Sequence, residues 1–122
     1  MKLARLLASL AVAVSVMVGV AACAPAVQPV QLAAGTVVID VRTADEFAAG
    51  HLDGAINIDV EAPTFDELAS QLPADGVYVL YCRSGNRAAS AMQRLEGLGF
   101  TTMTNAGGID AASASTGLPI VR

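Results

Sequence analysis

The chain has 122 residues, a formal net charge of −4, and only 7 Lys and Arg against 11 Asp and Glu. That length suits one domain, and an acidic balance without basic clusters excludes nucleic acid as a partner. One histidine and two widely separated cysteines, Cys23 and Cys82, exclude a metal site of the usual ligand spacing, and no cofactor is implied.

Lys2 and Arg5 precede an apolar run, Leu6 to Val20, with small residues at Ala21 and Ala22. This is the layout of an export signal over residues 1–22. A single-pass anchor is the alternative, but the run is short for a span and no stop-transfer charges follow. Val20-Ala21-Ala22-Cys23 resembles the lipobox of bacterial lipoproteins, in which the cysteine is lipidated and becomes the new N-terminus. Ala22-Cys23-Ala24 also fits ordinary secretory cleavage, so two readings of the site remain. Either one puts the protein at the periplasmic or cell-envelope face. The first anchors it through lipid at Cys23, its only membrane contact. Two cysteines in an exported chain suggest a disulfide, yet lipidation would occupy Cys23 and leave Cys82 a lone thiol.

Residues 23–35 read as a tether, because Pro25 and Pro29 discourage a helix. A short edge strand is expected near Val30 to Leu32. The domain proper takes residues 36–122. Thr36 to Val41 is a continuous β-branched run, as in a strand buried on both faces. Thr43 and Glu46 have capping-box spacing ahead of a helix over Ala44 to Ala49, which Gly50 stops. Asp53-Gly54 is a turn, and Ala55 to Ile58 a short strand. Thr64 and Glu67 repeat the capping spacing, with Phe65, Leu68 and Leu72 on one helical face and Pro73 as the stop.

Val77 to Tyr81 is again apolar throughout. Arg87 to Gly97 is helical in spacing, with Ala88, Ala91, Met92, Leu95 and Leu98 on one face. Thr101 to Thr104 is expected as the last strand, Asn105 to Gly108 as a loop, Ala111 to Gly117 as weakly patterned chain, and Leu118 to Val121 as a packed tail. Strands alternating with helices imply an α/β domain: an open, mostly parallel sheet of four to five strands with helices on both faces. Ligands bind such sheets at the carboxyl ends of the strands.

Cys82 sits at that end. A sharp turn from strand into helix directs backbone N–H groups at the helix N-terminus, where an anion is favoured. A cysteine there ionises more readily than a free one. Arg83 and Arg87 add positive charge. The pattern points to a nucleophilic cysteine acting on a small anionic substrate, rather than to a small buried hydrophobe.

Two groups of residues carry a family resemblance. The first is Ile39-Asp40-Val41-Arg42, Glu46-Phe47 and Gly50-His51-Leu52-Asp53-Gly54-Ala55-Ile56-Asn57-Ile58. The second is Tyr81-Cys82-Arg83-Ser84-Gly85-Asn86-Arg87, Gly97-Leu98-Gly99-Phe100 and Gly107-Gly108-Ile109. They resemble the two signatures of rhodanese domains, and the chain is most similar to the short, exported, single-domain type. Two features depart from the family pattern. A longer helical segment before the first signature is missing. Ala111 and Ala112 stand where a tryptophan is common, which shrinks the core near one pocket wall.

The resemblance implies a thiosulfate sulfurtransferase. Cys82 takes sulfane sulfur as a persulfide and passes it to cyanide or a thiol, with ping-pong kinetics. Arg83, Ser84, Gly85, Asn86 and Arg87 form the substrate-binding loop, their N–H groups nesting around the outer sulfur. Gly85 lets the backbone curl. Arg83 meets the anionic donor and Arg87 braces the loop. Asp40, Arg42 and His51 are structural supports, with Arg42 paired to Glu46 one helical turn away. Related phosphatases and arsenate reductases have one residue more in this loop, which disfavours them as models of the activity. A non-catalytic binding module of the same fold is the rival of another class; such modules usually lose the cysteine. A monomer is expected.

Overall fold

The computed structural model describes residues 28–122. The export segment, Cys23 with its cleavage or lipidation, and the start of the tether lie outside the described residues. The order of elements is β1 (Val37–Asp40), α1 (Ala44–Ala49), β2 (His51–Leu52), β3 (Ile56–Asn57), α2 (Phe65–Ala69), β4 (Val77–Cys82), α3 (Asn86–Gly97), β5 (Thr102–Gly108), α4 (Ile109–Thr116) and β6 (Ile120–Val121). Four strands form a parallel sheet in the order β3-β1-β4-β5. β2 and β6 pair antiparallel as a separate ribbon.

The two central strands explain the core. Successive side chains of a strand point to opposite faces. Ile39, Tyr78, Leu80 and Cys82 accordingly face one side, where Phe65 and Ala69 of α2 and Ala88, Ala91 and Leu95 of α3 cover them. Val38, Val79 and Tyr81 face the other, against Leu52 of β2 and Ala112 of α4. An apolar run without alternation is what a strand covered twice requires. Ala88 and Ala91 are wholly buried, so α3 lies close against the sheet with no long side chain between.

The first helix follows its caps. Thr43 Oγ1 accepts from Glu46 N at 3.3 Å, and the Glu46 carboxylate reaches back to Thr43 N at 3.4 Å. Gly50 ends the helix. At α2 the same spacing yields no box. Thr64 has φ −86° and ψ 1°, outside the extended region a capping hydroxyl needs, and its side chain makes no cap hydrogen bond. Leu68 is 42% exposed, and Phe65 with Ala69 forms the buried face instead.

Four further expectations are corrected. Val30 to Leu32 forms no strand. Val30 N instead donates to Ser115 O at 2.8 Å, and Val30 and Leu32 pack on the second cluster. Asn105 to Gly108 is strand rather than loop. β5 continues beside β4 through a register shift between Leu80 and Cys82, helped by Gly107 at φ +82°. The weakly patterned stretch after it is α4, held by burial of Ala112 and stopped by Gly117 at φ +75°. His51-Leu52 and the tail residues Ile120-Val121 are strands, because they satisfy each other's backbone groups.

Tyr81 joins the ribbon to the sheet. Its hydroxyl accepts from Leu52 N at 2.9 Å, and both residues are wholly buried. Tyr81→Phe leaves that N–H without a partner. Urea unfolding is expected to show a loss of about 1–3 kcal/mol, with unchanged far-UV circular dichroism.

Candidate active site

Cys82 is the last residue of β4, and α3 begins only four residues later at Asn86. Gly85, between them, has φ +93°, a left-handed conformation that other residues adopt at a cost. This turn swings the loop's N–H groups back over the sulfur. Gly85 N donates to Cys82 Sγ at 2.8 Å. Burial raises the thiol pKa, but N–H groups of Ala88, Ser84, Gly85 and Arg87 favour the thiolate, and the net shift is below the ordinary 9.0. The cysteine is therefore packed in the core, with 0% exposure, and yet its thiolate form is favoured relative to a free thiol's.

The flanking residues divide by direction. Arg83, Ser84 and Asn86 are exposed, Gly85 is buried, and Arg87 is half-buried. Arg87 grips Glu46 of α1 with two hydrogen bonds, at 2.7 and 2.9 Å, and lies 3.5 Å from Glu61. The bond to Arg87 holds the Glu46 carboxyl down at about 2, against its ordinary 4.5, and the pair raises Arg87 above its ordinary value. The expected Arg42–Glu46 pair is not formed. Arg42 is drawn to the wholly buried Asp40, whose carboxylate takes its backbone N–H at 2.9 Å, Nε at 3.0 and 3.1 Å, and a terminal nitrogen at 2.7 Å. Burial opposes the Arg42 charge, but the Asp40 carboxylate overrides it and raises the pKa. The same nitrogen donates to Gly50 O at 2.5 Å.

His51 makes no hydrogen bond to Cys82. Its Nδ1 is 2.8 Å from Phe47 O, and its ring stacks on Phe47 with centroids 3.7 Å apart. Asp40, Arg42 and His51 thus tie β1, α1 and β2 together. Two asparagines do similar work that sequence reasoning missed. Asn57 donates to Asp40 O at 3.0 Å and Arg42 O at 2.9 Å. Asn105 donates to Gly85 O at 3.0 Å and accepts from Gly107 N at 2.9 Å, stapling β5 to the cysteine loop. The Asn-Ala-Gly-Gly run was the available signal. Gly108 has its own reason: a Cβ there would lie 2.5 Å from Arg83 O. A cleft of about 490 Å³ opens beside the loop, lined by Arg42, Glu46, Ala49, Arg83, Ile109 and Asp110. Among the described residues no cluster of metal-ligating side chains occurs.

The Rhodanese-like domain matches residues 29–115, most of the chain and the whole of this site. The chain belongs to the rhodanese-like domain family. Thiosulfate sulfurtransferase PspE of Escherichia coli (strain K12) is 33% identical over 72 residues, which cover 58% of this chain and 68% of PspE. Thiosulfate sulfurtransferase 16, chloroplastic, of Arabidopsis thaliana is 34% identical over 98 residues, covering 72% of this chain and 82% of that protein. Among solved structures, a rhodanese with anions from E. coli superposes with a TM-score of 0.60 at 27% identity, over 71% of this chain and 98% of that one. This rhodanese domain has the fold the alternating elements implied.

A carboxyl whose folded pKa is lowered adds stability that is complete above its unfolded value and disappears as pH falls through the folded one. For Glu46 that window runs from 4.5 down to about 2. Glu46→Gln is expected to lose this contribution at neutral pH and to show a flatter stability profile across the window, measured by urea titration at each pH.

Proposed function

We propose that this rhodanese moves sulfane sulfur from thiosulfate, or a similar small anion, to a thiophilic acceptor through a persulfide on Cys82. The observation that carries this reading is the set of backbone N–H groups directed at Cys82 Sγ. Two relatives named as thiosulfate sulfurtransferases support the donor. In the first half-reaction the thiolate attacks the outer sulfur of thiosulfate. A Cys82 S–S bond forms, the donor's S–S bond breaks, and its electron pair leaves on sulfite. In the second, cyanide or a thiol attacks the outer persulfide sulfur, and the electron pair of the broken bond returns to Cys82 as thiolate.

Nothing in the loop acts as a general base; the N–H groups that favour the thiolate take that part, and sulfite is a good leaving group. The ring then meets a new charge on the outer sulfur with the same N–H groups, preorganised and shielded from water. Arg83 attracts the donor electrostatically. Arg87 holds the ring's shape through Glu46 rather than by touching the donor. Arg83 and Ser84 form the exposed side of the loop, so a donor meets them before it reaches the buried Cys82.

The reading extends to location. The sequence of residues 1–23 supports export to the periplasmic or cell-envelope face and a lipid anchor at Cys23, with the domain beyond it a monomer. Mass spectrometry of the N-terminal peptide from envelope fractions checks the anchor.

Incubation with thiosulfate is expected to raise the intact mass by one sulfur atom, and cyanide to remove it as thiocyanate. Cys82→Ser is expected to show neither change. An unaltered wild-type mass, or an equal gain in the variant, counts against the persulfide.

A further inference from the structure

The cleft beside the loop has four charged lining residues, and two of them are neutralised in place. Arg42 is paired with Asp40 at 2.7 Å, and Glu46 with Arg87 at 2.7 Å. The other two are Arg83 and Asp110. Both are exposed, and among the described residues neither forms an ion pair, with the other or with any third group. They border one cleft because Gly108 packs against the Arg83 carbonyl, which brings the first turn of α4 to the mouth of the loop. Ile109 and Ala49 supply the apolar part of the lining.

A dianionic donor has a use for Arg83 but none for Asp110, whose charge repels it. The carboxylate makes sense for a molecule of the other half-reaction. We propose that Arg83 and Asp110 select a zwitterionic aminothiol as the sulfur acceptor, a reading that rests on the sulfur-transfer function above. The acceptor's carboxylate meets Arg83 and its ammonium meets Asp110, with the methylene that carries the thiol against Ile109 and Ala49. Its thiol attacks the outer sulfur of the Cys82 persulfide anion. A new S–S bond forms on the acceptor, the Cys82 S–S bond breaks with its electron pair returning to Cys82, and the thiol proton stays with the product persulfide. No oxidant or reductant is consumed.

Two acceptors isolate the ammonium: cysteine, and mercaptopropionate, which lacks the amino group. Sulfite release from thiosulfate reads both, with rates compared per thiolate. For wild type, kcat/KM for cysteine is expected to exceed that for mercaptopropionate by about three- to fivefold, the size of one partly exposed charge pair. The preference should lie in KM and shrink at high salt. Asp110→Asn is expected to bring the ratio close to one. A ratio near one in wild type, or the same preference in both proteins, overturns the inference. If wild type still turns cyanide into thiocyanate, only the acceptor assignment falls; if neither cyanide nor either thiol releases sulfite, sulfur transfer falls with it.

Discussion

The sulfur of Cys82 lies in a hydrophobic core, and the peptide N–H groups around it are what favour its thiolate form there. Removing an ion from water carries a large penalty unless hydrogen bonds replace the lost solvent. Around Cys82 they do: burial pushes the thiol toward neutrality, and the N–H groups of the loop and the first turn of α3 reverse that push. Side-chain cations are secondary. Arg83 is exposed, and the Arg87 guanidinium is engaged with Glu46. The chemistry therefore depends on backbone shape, and much of the remaining structure serves to keep that shape.

Three separate parts of the chain hold the loop. α1 reaches it through Glu46 and Arg87, residues 41 apart in sequence. β5 reaches it through Asn105 on the Gly85 carbonyl and through the close passage of Gly108 under Arg83. β1 supports the neighbouring strand end, with Asp40 anchoring Arg42 and Asn57 bridging both backbones. The Glu46–Arg87, Asn105–Gly85 and Asn57 hydrogen bonds join parts of the chain that share no local sequence relation. Each fixes a direction, which a purely apolar contact would leave loose.

That division explains what could be read beforehand. The central strands were legible because their apolar runs have no wet face, and the Thr43–Glu46 box because its partners are three residues apart. The cysteine loop was legible as a strand-to-helix turn with glycine where the backbone must curl. α4 was not, since Ile109 to Thr116 carries no apolar stripe; the helix depends on Ala112 meeting Val79 and Tyr81 across the sheet. The Glu46 partner was misassigned for a related reason. Local spacing offered Arg42, but a buried carboxylate at Asp40 competes more strongly for a guanidinium than a half-exposed one does. Asn57 and Asn105 act entirely through space, so no periodicity could announce them.

The passage of Gly108 beneath Arg83 has a consequence for how the protein comes into being. The strand carrying Cys82 ends 26 positions before Gly108, and the turn above the sulfur has its full backing only once that glycine is seated against the Arg83 carbonyl. The last support of the cysteine loop therefore comes from chain that is made well after the cysteine itself.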